Sequence, residues 1–485
     1  MFPFYFLGAP PYKVANISGM ILPVVNQAKN TVMAEAIRDL DPDTMTRSPG
    51  LTYQQLLDED SRPVPDVLRL QSPKDLGDAD VSIERYISKD WHDREVEYLW
   101  KRVWQFACRE EDIPEPGDHC RYDIAGISFL VVRTESGDIK AFPNACLHRG
   151  RMLKEFDGHT SELRCPFHGF AWTLDGCLKD IPARWDFPHV DDDKFSLPEI
   201  PTATWAGFVF INPDQNCAPF EEFIKDLAGQ FERWDLSKLY KQAHVARIMP
   251  ANWKIAQEAF CEAYHVNATH PQIMKSLGDV NSQVDVWENC ARVITPSLTP
   301  SPLLGDDLSN QDIVRAMLDI PEGDPVPELP EGMSPRAWSA AMSREGLRPD
   351  AGDLVDEYCD AEMVDNLDYT LFPNFHPWGA FNRIVYRFRP NGNDHRSSIM
   401  EAIMLAPFQG KRPPAAKIHW LEDDQAWSTA LGFLGKVFDQ DVFNMPKVQM
   451  GLESTYKPGI TLANYQESKV RWLHHKLGEW VEEAK

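Results

Sequence analysis

The chain has 485 residues, 43% of them hydrophobic and 25% charged, with a net charge of −25 at pH 7. That length allows two or three domains, and the composition excludes overall disorder. So acidic a molecule repels nucleic acid and anionic membrane surfaces, and its nine cysteines, widely and irregularly spaced, give no disulfide framework, which fits a reducing cytoplasm.

The chain opens on an apolar run, MFPFYFLGAPPYKVANISGMILPVV. No positively charged segment precedes it and Pro10-Pro11 interrupts it, so it reads as neither a signal peptide nor a membrane span. A tail is expected, with Met20 or Met33 as alternative starts, and a chain beginning at Met33 should remain active. Residues 1–84 read as an N-terminal arm, polar and rich in Pro and Asp over 34–80. Helical spacing begins near Lys89, where Trp91, Val96, Leu99, Trp100, Val103 and Trp104 form a stripe over about four turns. Alternation then predicts strands over Tyr122–Ile127 and Ser128–Arg133, a Ser136-Gly137-Asp138 turn, a strand from Ile139 to Phe142 and another over Gly207–Asn212. Residues 85–215 therefore read as an all-β domain behind a leading helix.

Two short clusters interrupt those strands. Cys146, His148, Cys165 and His168 follow the pattern C-x-H-x16-C-x2-H, with Gly150, Pro166 and Gly169 as turn formers beside them. Each cluster carries one Cys and one His, whereas a zinc finger usually keeps its cysteines in one cluster and its histidines in the other; a zinc knuckle of two cysteines and two histidines is the alternative. Two thiolates and two imidazoles are the ligand set of a [2Fe–2S] centre in which two cysteines hold one iron and two histidines the other. This segment resembles the Rieske family of iron–sulfur domains. Arg149, Arg151, Lys154 and Arg164 surround the four ligands. They read either as ordinary surface charge or as a docking patch for an acidic ferredoxin.

Helical segments are expected over 220–240 and 252–269, and strands mixed with Pro- and Asp-rich loops over 285–400. Arg383–Arg389 and Ser398–Leu405 read as strands joined through an Asn391-Gly392-Asn393-Asp394 turn. From Ala426 the pattern is mostly helical, interrupted at Tyr456-Lys457-Pro458-Gly459. No internal repeat is present, and no G-x-G-x-x-G follows a strand, so the chain is not expected to bind a dinucleotide itself.

Asn252 is a good N-cap for the sequence NWKIAQEAFCEAYHVNATHP. At about 100° per residue, Glu258, Glu262, His265 and Thr269 share a face, which by itself reads as a solvated one. His270 precedes Pro271, so the helix must end or distort there, and a distorted end can bring His270 round beside His265. Two neutral imidazoles so placed are good ligands for a divalent transition metal.

Asn252-Trp253-Lys254, Glu262, His265 and His270, together with the upstream Cys/His motif, resemble the large (alpha) subunit of the Rieske non-haem iron aromatic-ring-hydroxylating oxygenases. The resemblance covers residues 85–485. It implies an α+β chain, with an N-terminal all-β Rieske [2Fe–2S] domain and, over 216–485, a helix-grip (START/Bet v1-like) catalytic domain holding mononuclear Fe(II). It implies a downstream carboxylate as third ligand. Asp441 fits, lying in one helical stripe with Met445, Val448 and Leu452, and Asp439 is the rival, about 200° away. Pro446 is expected to kink that helix. The resemblance further implies electrons from an NAD(P)H reductase or ferredoxin and a head-to-tail homotrimer, with or without small beta subunits. It implies that Glu262 links His265 to His168 of the next subunit, where many ring dioxygenases have Asp. The expected activity is O2-dependent mono- or cis-dihydroxylation of a hydrophobic, aromatic or polycyclic compound. An O- or N-demethylase or a quaternary amine monooxygenase is the alternative. The readings from other classes are an electron-transfer protein and a lipid-binding module with a vestigial iron site.

Overall fold

The computed structural model describes residues 37–305 and 308–482. The expectations about the N-terminal tail and the starts at Met20 and Met33 lie outside the described residues. From residue 37 to 84 the chain is built into the fold. Thr52 and Gln55 close a capping box on the helix Tyr53–Leu57, which buries Tyr53, Leu56 and Leu57. Further on, Ser72 N–H donates to Asp285 and the buried Arg292 donates to the carbonyl of Val67.

The leading helix runs over Lys89–Glu95 and widens into a π-helical turn, Val96–Trp100. It stops short of Trp104, because Gln105–Arg109 pairs as a strand with Phe208–Ile211. Asp118–Ile124, Ile127–Arg133 and Ile139–Pro143 form an antiparallel meander. Its first turn falls at Ala125-Gly126, two residues before the predicted break, and both residues take the positive φ that a two-residue hairpin demands (48° and 80°). A three-stranded sheet of Leu163–Arg164, Ala171–Trp172 and Leu178–Asp180 carries the second Cys/His cluster at its end.

The second half is built on one eight-stranded sheet. Its order is Gln283–Val286, Cys290–Thr295, Asn366–Leu371, Phe375–Pro377, Ile384–Asn391, Asp394–Ala406, Tyr240–Met249 and His419–Trp420. The helix expected over 220–240 ends at Phe231, and Tyr240–Met249 is a strand paired along its length with Asp394–Ala406. The predicted hairpin around Asn391–Asp394 is present. The sheet packs on the long helix Ser428–Ser454, with Tyr386, Phe388, Met400 and Ala402 against Trp427, Phe438 and Met445. That helix contains Pro446 with no break there; its one residue with non-helical backbone is Gly432, at φ 57°. A left-handed φ is open to glycine at little cost, so the break falls on Gly432 and not at the proline.

The helix expected to run unbroken from 252 to 269 is two short helices, Trp253–Glu258 and Val266–Thr269. Asn252 caps the first, its Oδ1 accepting from Lys254 N–H (3.0 Å), while its amide donates to the carbonyls of Tyr86 and His395. Lys254 is fully buried and pairs with the fully buried Glu95 of the leading helix at 2.5 Å. Trp91 and Trp253 donate their indole N–H groups to the same carboxylate. A buried pair this well satisfied ties the first half of the chain to the segment that carries the two histidines. The break also separates Glu258 from the face predicted for it: its carboxylate accepts from Tyr86 and contacts His474.

Candidate metal centres

The two Cys/His loops have the same backbone. The N–H of Cys146 donates to Arg151 and that of Cys165 to Phe170, while Gly150 and Gly169 donate back to the carbonyls of Cys146 and Cys165. Gly150 and Gly169 both have positive φ (73° and 80°), which lets each loop turn tightly enough to bring its Cys and His together. Buried Asn144 holds the first loop by accepting from the N–H groups of Leu153 and Lys154. Cys146 and Cys165 are buried, and the rings of His148 and His168 lie 4.7 Å apart. Burial raises the pKa of the Cys146 thiol and the neighbouring Cys165 adds to that, while the N–H groups of His148 and Arg149 act against both. His148 Nδ1 is buried with no hydrogen-bond partner. Two soft sulfurs, two imidazoles, inward backbone N–H groups and an unpartnered ring nitrogen fit a [2Fe–2S] cluster. His168 Nε2 instead faces outward and accepts from Arg149 (2.7 Å). Of the basic residues around the loops, Arg151 pairs with Glu155, and Arg164 with Glu162 and Asp180, so much of that charge is locally neutralised.

In the second half, His265, His270 and Asp441 come together, each offering a ligand atom within 4.8 Å of the others. Asp441 Oδ1 lies 2.8 Å from His270 Nε2 and 3.5 Å from His265 Nε2. The remaining nitrogens are held from behind. His265 Nδ1–H donates to Glu262 (2.7 Å), which also accepts from His265 N–H (2.9 Å). His270 Nδ1–H donates to Gln440 (2.8 Å), whose amide oxygen also accepts from Gln272. Fixing each Nδ1–H directs each Nε2 at Asp441, where a proton bridges to the carboxylate or a bound cation would take its place. Two imidazoles and one carboxylate, the only such group of side chains among the described residues close enough to share one ion, match the facial set of non-haem Fe(II) sites. Burial opposes charging of His265, but Asp441 and Glu262 outweigh it and raise its pKa to about 10. Burial alone would raise the pKa of Asp441, and the two histidines lower it instead. Asp439 points elsewhere, accepting from Trp427 N–H (2.7 Å) and Ser428 N–H (3.2 Å). Gln440 and Gln272 were not legible in the sequence, since an amide gives no metal-ligand spacing to detect.

The group of three lies in the wall of a cavity of about 280 Å3, lined mostly by apolar and aromatic side chains such as Phe260, Val293, Trp378, Tyr386 and Phe438. No helix among the described residues is long and apolar enough to cross a membrane.

Fold and site together define a two-domain iron–sulfur protein with a second, mononuclear metal site. Residues 228–483 match the family described as the ring hydroxylating alpha subunit (catalytic domain), and residues 103–191 match the Rieske [2Fe–2S] domain. The chain belongs to the ring-hydroxylating alpha subunit family, whose cofactors are a Rieske [2Fe–2S] cluster and a mononuclear iron. It is 28% identical over 195 residues to the carnitine monooxygenase oxygenase subunit of Escherichia coli K12, an alignment that takes in 40% of this chain and 52% of the relative. To the chlorobenzene dioxygenase subunit alpha of Cupriavidus sp. PS12 it is 29% identical over 191 residues, 38% of this chain and 42% of the relative. The chain thus spans about half the length of the curated relatives it matches. Among solved structures, a quaternary ammonium Rieske monooxygenase bound to L-carnitine superposes with a TM-score of 0.59 at 17% identity, over 83% of this chain and 95% of the other. A point mutant of naphthalene 1,2-dioxygenase bound to phenanthrene superposes with a TM-score of 0.56 at 17% identity, over 83% of this chain and 94% of the other.

Proposed function

We propose that the chain is the terminal oxygenase of a multicomponent system that hydroxylates a hydrophobic, aromatic or polycyclic compound. Residues 85–215 form the cluster domain and 216–485 the catalytic domain. Cys146, His148, Cys165 and His168 hold the cluster, and His265, His270 and Asp441 hold the mononuclear iron. The observation that carries this reading is the convergence of His265, His270 and Asp441 on the wall of an apolar cavity. When bound, Fe(II) activates dioxygen and the [2Fe–2S] cluster delivers electrons singly. The protein's own part is orientation and exclusion. Glu262 and Gln440 hold the two imidazoles in the ligating tautomer, and Phe260, Tyr386 and Phe438 keep water from the substrate.

Electrons come from an NAD(P)H-linked reductase, directly or through a ferredoxin, and the chain works in the cytoplasm, which suits seven unbridged cysteines besides Cys146 and Cys165. It assembles as a head-to-tail trimer, in which His168 meets Glu262 of the partner subunit. Leu147, Phe167 and Trp185, exposed around the cluster loops, suit such a contact. Aromatic walls also suit a quaternary ammonium through cation–π attraction, and the likeness to carnitine monooxygenase favours that as the second reading.

The test is purified protein with reductase, ferredoxin and 18O2, assayed for labelled product by mass spectrometry, with iron and sulfide counted on the same sample. About three irons and two sulfides per chain with label incorporation are expected. Two irons and no label would leave an electron carrier or a lipid-binding module.

A further inference from the structure

Glu262 and Asp441 are both engaged by histidines at the cavity wall. A third carboxylate lining the same cavity, Asp368, takes no part in that arrangement. It sits on the strand Asn366–Leu371, opposite Val293, and forms a backbone bridge to Trp378. Its Oδ2 accepts from the fully buried Lys469 of the C-terminal helix at 2.7 Å. Its Oδ1 has no hydrogen-bond partner, and neither has the indole Nε1 of Trp378, which lines the cavity beside it.

A carboxylate can accept about four hydrogen bonds, and here one protein donor serves it, bound to one of its two oxygens. Lys469 already neutralises its charge, so the wall offers a directional acceptor without net attraction for a cation. Tyr386 lines the same cavity, and burial first, then the charges of Asp368 and Asp441, raise the pKa of its hydroxyl. The cavity wall thus carries the metal group with Glu262 and, apart from these, one carboxylate, Asp368, among mostly apolar side chains and the neutral polar Ser276, Thr295, Ser297, Asn366 and Asn382.

We infer that Asp368 is a specificity-determining residue that accepts a hydrogen bond from an O–H or N–H group on an otherwise apolar ring substrate. This rests on the reading that the cavity takes the substrate. It favours a neutral aromatic alcohol or N–H amine over a bare hydrocarbon, and over a quaternary ammonium, whose nitrogen has no proton to give.

The test is calorimetric binding to the iron-loaded protein with four probes: 1-naphthol, 1-methoxynaphthalene, naphthalene and glycine betaine. The wild type should bind 1-naphthol about tenfold or more tighter than its methyl ether and naphthalene, the worth of one hydrogen bond to a charged acceptor. In Asp368→Asn the amide oxygen takes the Lys469 proton and the NH2 replaces the free acceptor, so the preference should vanish or invert. Should Asp368→Asn fail to fold, Asp368→Leu with Lys469→Met removes the pair together and should also abolish the preference. Equal wild-type affinities for the three naphthalenes, tighter binding of glycine betaine than of 1-naphthol, or a tenfold preference surviving in Asp368→Asn would each overturn the inference. Oxygen incorporation is measured separately. An intact binding preference with no labelled product would sink the oxygenase reading and leave Asp368 in its role, whereas labelled product without the preference would remove Asp368 alone.

Discussion

The two metal centres differ in how the chain builds them. The cluster loops draw all four candidate ligands from one stretch, Cys146 to His168, and hold them with local backbone hydrogen bonds and two left-handed glycines. The mononuclear site joins residues 171 positions apart, His270 and Asp441, through a sheet, a broken helix and a long helix that meet only in the folded state. The first therefore depends on a turn and the second on packing. The first is also partly open to solvent at His168, whereas in the second His270 and Asp441 are buried and His265 keeps partial access.

The sharpest way to break this comparison is a crossed pair of variants. Asp441→Ala should lose the mononuclear iron and drop labelled product to background, with the visible and EPR spectra of the cluster unchanged. Cys146→Ala should do the reverse to the cofactors, losing the cluster spectrum while about one iron per chain stays on the second site. If either variant emptied both sites, the centres would be one cooperative unit and the contrast between local and packed construction would fail.

Lys254→Met asks how far the packed site leans on the first half of the chain. Removing the ammonium leaves Glu95 buried with two indole donors and no cation. Such a loss costs about 3–5 kcal/mol. Denaturant unfolding should show it as a lower midpoint, and iron should leave the mononuclear site before the cluster bleaches. An unchanged midpoint would mean that the pair is not what joins the halves.

The same contrast decides what could be read from the residues alone. The pairing of the two Cys/His loops was legible because spacing, residue type and turn glycines all lie within one stretch. The hairpin Ile384–Ala406 was legible because its alternation and its Asn-Gly turn agree. His270 was legible from Pro271, and it does leave the helical region, at φ −126°. The strand Tyr240–Met249 was not, since its partner lies about 150 residues on and its place in the sheet is set by that pairing. The break between Glu258 and His265 was also hidden. Nothing local forbids a helix there, and it is the burial of Cys261 and Ala263 against separate clusters that turns the chain.

Glu262→Gln sharpens the comparison at the point where the two centres should meet. Its carboxylate accepts twice from His265, and the amide has one oxygen to do the same. Both metals should stay, and reduction of the cluster by ferredoxin should be normal. Reoxidation of the cluster with substrate and O2 present should slow by about 10–100-fold, the usual cost of losing an orienting partner behind a ligand. Reoxidation at the wild-type rate in stopped flow would remove Glu262 from the path.

The smallest expected effect belongs to Asp439, two residues from Asp441 and equally acidic in sequence. The fold gives it a different task. Its carboxylate accepts from the N–H groups of Trp427 and Ser428, where the long helix begins and just ahead of the break at Gly432. That is the work of a helix cap, and removing a capping side chain costs about 0.5–2 kcal/mol. Asp439→Ala should therefore lower the unfolding midpoint slightly while leaving iron content and label incorporation close to wild type. Trp427 is fully buried against Phe438, which lines the cavity, so a modest rise in the substrate concentration for half-saturation is also expected. If Asp439→Ala lost the mononuclear iron and Asp441→Ala kept it, the carboxylate ligand would have been assigned to the wrong side of the helix.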